Sequence, residues 1–211
     1  FMSSGSRLYL ESGKITGNNA SGSGAAGVTV NSNCYFLMTG GSIEGNTGTG
    51  SASGAVYVAN NANALFEITG GIITNNSTTY SSASGGVYID SGGQFRLGGS
   101  AVIVENKIGK SEKNVYSVQN ALKYPIIAPI QDNFRIGITK ANDNYAETEG
   151  LIFTADWSAH SNRSPLDYFY SDDMRYEVRS AGGIGQREGS MWCIDAAKNW
   201  DDANIKSRTD G

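Results

Sequence analysis

Phe36-Leu37-Met38-Thr39-Gly40-Gly41-Ser42-Ile43-Glu44-Gly45-Asn46, followed by Gly54-Ala55-Val56-Tyr57-Val58, decides the fold, because the chain repeats this pattern four times. The first copy reads Leu8-x-Leu10, then Gly13-Lys14-Ile15-Thr16-Gly17-Asn18, then Gly27-Val28-Thr29-Val30. The third reads Phe66-x-Ile68, Gly70-Gly71-Ile72-Ile73-Thr74-Asn75-Asn76 and Gly86-Val87-Tyr88-Ile89. The fourth reads Phe95-x-Leu97, Ile103-Val104-Glu105-Asn106 and Asn114-Val115-Tyr116. From the first apolar residue to the asparagine the spacing is 10, 10, 10 and 11 residues, and from there to the valine it is 10, 10, 11 and 9. A fixed period of about 28 to 31 residues is the signature of a stacked repeat architecture.

Within each unit apolar residues alternate with polar or small ones, the period of a half-buried strand, and no helical stripe occurs in 1–108. Strands this short cannot bury their inward residues alone, so each unit must stack on the next. Parallel stacking at ~4.8 Å predicts an all-β fold, a parallel β-helix or solenoid of about four to five rungs. Equivalent residues then form interior columns: Leu8, Phe36, Phe66 and Phe95; Leu10, Met38, Ile68 and Leu97; Ile15, Ile43, Ile73 and Ile103; Val28, Val56, Val87 and Val115. Asn18, Asn46, Asn76 and Asn106 fall at a turn, where asparagine tolerates left-handed backbone and its amide can bond both its own turn and the next rung. The Gly-Gly pairs at 40–41, 70–71, 85–86 and 98–99 precede no helix and no Gly-Lys-Ser/Thr, so they read as corners needing positive φ, not as phosphate loops.

The 211 residues fit one domain, and 39% hydrophobic content is enough for a core. A net charge of −4 and a pI near 5.0 leave no basic surplus for nucleic acid or an anionic membrane, and no apolar run is long enough to span a bilayer. Residues 1–108 hold 9 charged residues and 20 glycines, against 27 and 8 in 109–211. The expected division is therefore repeat rungs over 1–117 and, over 118–211, a last irregular rung with a β-rich C-terminal cap. A solenoid end exposes unpaired strand edges, and a charged, aromatic-rich tail suits their covering. Because residue 1 leads almost directly into a rung strand, further rungs or a cap are expected to precede it. Cys34 and Cys193 lie far apart with no metal-type spacing and are expected to be buried free thiols.

The phrase at 36–46 with Gly54-x-Val56-Tyr57-Val58 resembles the right-handed parallel β-helix repeats of bacterial cell-surface, adhesin-like proteins, over roughly residues 8–117. The resemblance implies an extracellular or surface-displayed binding or structural protein. Its partner would be a host or bacterial surface glycan or protein, and no catalytic motif accompanies the repeat.

Parallel β-helices also carry polysaccharide lyases and hydrolases, so an enzyme with its site partly outside this chain is the alternative. The rungs supply only Glu11, Glu44, Glu67, Asp90 and Glu105. Glu67 alternates with inward residues and should face out, while Glu44 and Glu105 read as equivalent positions two rungs apart, ~10 Å by rung spacing. Asp172-Asp173 and Asp201-Asp202 lack the regular oxygen-ligand spacing of a cation loop. His160 has no nucleophile at recognisable spacing. No catalytic residue, metal site or cofactor is therefore expected. Trp157, Trp192, Trp200 and the tyrosines Tyr168, Tyr170 and Tyr176 follow the repeats. Aromatic rings anchor partners when exposed, which makes Trp157, Tyr168 and Tyr170 the candidate binding residues.

Overall fold

In the computed structural model, which describes residues 1–119, 123–139, 151–181 and 188–193, the alternation becomes stacked parallel strands forming a β-solenoid of about five turns. Leu8 pairs with Phe36, Phe36 with Phe66 and Phe66 with Phe95, in register. The Phe36 and Phe66 rings stack at 4.7 Å, Phe66 and Phe95 at 5.3 Å, and Tyr124 closes the column edge-on at 5.5 Å from Phe95. Ile15, Ile43, Ile73 and Ile103 form the next column, which continues through Ile136 to Phe169. Phe36, Phe66, Met38, Ile43, Ile68 and Ile73 are wholly buried. Each contributes ~1.5–3 kcal/mol by leaving water, so the columns are the main source of stability.

The strands Tyr35–Glu44 and Leu65–Thr74 each cover three columns, because the Gly-Gly pairs bend a continuous strand at register shifts. Gly41, Gly71 and Gly99 take positive φ as expected, whereas Gly85-Gly86 does not. That pair is required by space instead, since a Cβ on Gly86 would lie 2.2 Å from the Asn114 carbonyl oxygen. The ladder asparagines also differ from expectation in one respect. The left-handed residue is the one before each of them, Gly17, Gly45, Asn75 or Glu105, which leaves the asparagine itself free to turn its amide inward.

The regular period ends for a visible reason. The short strands Asn19–Ala20, Thr47–Gly48, Ser77–Thr78 and Lys107–Ile108 stack in parallel until the chain folds back at Gly109, and Ser111–Glu112 pairs antiparallel with Lys107–Ile108. This hairpin closes one side of the solenoid. On the other side the single strand Arg135–Thr139 pairs with Val102–Val104 through Ile136 and with Val115–Ser117 through Ile138, so two stacks converge on one strand. Phe169–Ser171 adds one more parallel layer. The tail then packs Phe134, Phe153, Trp157, Tyr168 and Phe169 as mutually edge-on or tilted rings, beside an antiparallel sheet of Leu151–Ile152, Glu188–Cys193 and Tyr176–Ala181. Cys34 is a buried free thiol, and the Cys193 side chain lies outside the described residues.

Candidate functional site

The asparagine ladder leads from the core to a polar site at the end of the stack. In Asn46 and Asn76 the backbone N–H and the side-chain amide both donate to the side-chain oxygen of the next ladder asparagine, at 2.8–3.1 Å. Asn76 Nδ2 also donates to the carbonyls of Ile43 and Thr74, its neighbouring rung and its own turn. Because the hairpin brings Asn114 beneath Asn106, Asn114 takes the position of a next-rung asparagine and accepts both of that residue's donors. Along the ladder each asparagine donates to the side-chain oxygen of the next, so the last one needs an acceptor beyond it. Asp172 supplies it: Asn114 N–H donates to Oδ2 at 2.7 Å, Asn114 Nδ2 to Oδ1 at 2.6 Å, and Thr139 Oγ1 to Oδ2 at 2.6 Å. Burial pushes the Asp172 carboxyl up, and the bonds from Thr139 and Asn114 offset part of that rise.

Around this terminus the hairpin and the strand Phe169–Ser171 leave an open cleft of about 750 Å³, with Glu112, Lys113, Tyr170, Asp172 and Arg175 on its walls. Tyr170 donates to Glu112 at 3.0 Å and carries the Arg135 guanidinium over its ring at 4.8 Å. Lys113 is buried, donates to the Ser81 carbonyl and lies 3.8 Å from the Tyr116 ring centre; desolvation lowers its ammonium to about 8. Met174 on the rim is 95% exposed.

Of the candidate binding residues, only Tyr170 lines this cleft. Trp157 is fully buried with its Nε1 donating to the Arg163 carbonyl, and Tyr168 is buried beside it with its hydroxyl accepting from Arg163. The exposed platform expected of these two rings is not formed, because the tail needs their area to close its own core. Trp192 belongs to the strand Glu188–Cys193 with its side chain outside the described residues, as are Trp200 and Asp201-Asp202 altogether. Asp173 pairs with Arg175, and among the described residues no three His, Cys, Asp or Glu side chains gather to hold a metal. Glu44 and Glu105 are not equivalent: Thr74 faces Glu44 on one side and Val104 on the other, and Glu105 lies one residue further, at the left-handed turn. Glu44 pairs instead with Lys14 at 2.7 Å. Glu67 does face outward, yet it is tied to Tyr35 and to Arg96.

A second surface stands on the rungs themselves. Tyr57, Tyr88 and Tyr116 are in register on the outer face, their rings 5.5 and 5.6 Å apart. The alternation Val87, Tyr88, Ile89, with inward residues on either side of the tyrosine, implies this outward column. Burial raises all three phenols, with Tyr88 reaching about 12. Unfolded tyrosines ionise near 10, so these protonated rings contribute stability that is full below pH 10 and is lost as pH rises through the folded values. Stability should therefore fall steeply above pH 10, on the order of 1 kcal/mol from Tyr88 alone after discounting for its partial exposure. Absorbance titration at the phenolate band alongside circular dichroism checks this. Full ionisation near pH 10 with the fold intact would contradict it.

Comparison with known proteins gives no match to any family model, curated protein or solved structure.

Proposed function

We propose that this chain is a surface-displayed binding or structural protein of the adhesin-like kind, exported from a bacterial cell, with a glycan or protein of a host or bacterial surface as its partner. The carrying observation is the cleft at the end of the stack, built jointly by the hairpin 107–112 and the tail strand Phe169–Ser171. It presents groups of both charge signs beside a partly buried tyrosine and an exposed methionine, on a support whose columns are buried from the second rung onward and therefore rigid. Fixed polar groups next to an adaptable apolar side chain suit recognition of a hydroxyl-rich or peptide surface.

Hydrolysis of a polysaccharide is the second reading, favoured by Glu112 and Asp172, which both accept from Asn114 Nδ2 inside this cleft. The ladder already accounts for Asp172, whose two oxygens accept three hydrogen bonds there. Incubation on glycan and surface-protein arrays with reducing-end detection separates the readings. Retention without product is expected, and Met174→Ala should weaken it by more than about 1 kcal/mol without shifting the melting temperature. Product formation would favour the enzyme. No retention on any array, or retention indifferent to Met174, would remove the cleft as a recognition site.

A further inference from the structure

The outer tyrosine column is closed at one end and open at the other. At its C-terminal end the Lys113 ammonium covers Tyr116. At its N-terminal end the register places Thr29 opposite Tyr57. Thr29 is buried and its hydroxyl accepts from the Ala25 N–H at 2.9 Å, so at this rung the stack steps down from an aromatic ring to a methyl and a hydroxyl. Tyr88 covers one face of Tyr57, and among the described residues no ring covers the other. A cavity of about 170 Å³ opens at this step, lined by Gly24 of the first rung, Ser53 and Tyr57 of the second, and Tyr80, Tyr88 and Asp90 of the third.

The lining is chemically specific. Gly24 takes φ +100, and a Cβ there would lie 2.6 Å from Thr29 Oγ1 and 3.3 Å from the Phe1 ring, so no side chain fits at this position of the floor. Tyr80 stands 40% exposed on the wall. Asp90 is fixed: its Oδ2 accepts from the Tyr57 hydroxyl at 2.7 Å, and its Oδ1 accepts from the Ser91 N–H at 2.7 Å and from the Ser91 hydroxyl. A carboxylate offers about four acceptor positions, so Oδ2 keeps one for a ligand hydroxyl. Among the described residues Asp90 is the only charged one on this lining, which selects against anions. Sites for drug-sized ligands run from about 300 Å³ upward, so this volume admits one ring at a time.

We infer that this cavity takes a single ring of a neutral saccharide, its C–H face against Tyr57 or Tyr80 and a hydroxyl donating to Asp90. An aromatic face beside a rigid acceptor matches a pyranose, which has an apolar face and a rim of hydroxyl donors. The site is separate from the end cleft, and the two can fail independently.

The test is saturation-transfer NMR on the whole chain with the methyl glycosides of glucose, galactose, mannose and N-acetylglucosamine, and with glucuronate as the anionic control. At least one neutral glycoside is expected to receive saturation while glucuronate does not. Tyr80→Ala and Asp90→Asn should each cut that signal at least fivefold with the melting curve unchanged, and Met174→Ala at the distant cleft should leave it intact. Silence from all four neutral glycosides, a stronger signal from glucuronate, or variants that bind like the wild type would each overturn the inference. Should either variant lower the melting temperature, the other, together with the glucuronate comparison, still decides.

Discussion

Ile73→Asp is expected to abolish the folded stack. Ile73 is wholly buried, with Ile43 and Ile103 as its register partners above and below, so no cation or donor side chain meets the new carboxylate within the column. Losing the large side chain costs about 2–5 kcal/mol, and desolvating an unpaired charge adds several more. Against a total stability of about 5–15 kcal/mol the sum is decisive. Ile72→Asp is the control, because Ile72 is only half-buried and alternates to the outer face. Far-UV circular dichroism and size exclusion should show the Ile73 variant unfolded or aggregated and the Ile72 variant cooperative. Equal behaviour of the two would mean that the inward and outward faces are misassigned.

Asn76→Ala is the second large effect. Its amide accepts two donors from Asn46 and donates to Asn106, Ile43 and Thr74, all in the buried interior. Truncation leaves several of these groups unsatisfied without water to replace the partner, at about 2–4 kcal/mol in all. For a chain of this size that corresponds to a fall in melting temperature of about 5–15 °C. Asn18→Ala, on the exposed first rung, removes the same chemistry where water can substitute, and should cost a few tenths of that. If both variants melt alike, the ladder is not a source of stability.

These two substitutions also mark what the sequence makes legible. The columns follow from period and alternation alone, because stacking identical short strands leaves one arrangement in which every inward residue meets its equivalent. The place of each asparagine follows as well. The end of the stack does not, since no spacing shows that the chain doubles back at Gly109 and that Asn114, eight residues after Asn106, stands in for a whole rung. Asp172 is invisible for the same reason: it is 58 residues from the asparagine it satisfies. The tail aromatics were the harder matter. Ring content establishes that Trp157 and Tyr168 carry large apolar area but not whether they spend it on a partner or on the core, and here they are buried in the core. The outer tyrosines are legible in the same alternation that places the valines, and they form an aromatic column on the rungs themselves.

The in-register parallel stacking of the rungs is tested most directly by cross-rung disulfides in a Cys34→Ala, Cys193→Ser background. Thr47 and Ser77 are register partners on adjacent rungs, with hydroxyl oxygens 3.4 Å apart. Neighbouring strands lie ~4.8 Å apart, inside the ~4.4–6.8 Å between Cα atoms that a disulfide spans, while two rungs lie at about twice the spacing and outside it. Under mild oxidation Thr47→Cys with Ser77→Cys should close an intramolecular bridge, and Thr47→Cys with Lys107→Cys should keep both thiols free. Bridging of the second pair, or failure of the first in a protein that still folds, would contradict the stacked register.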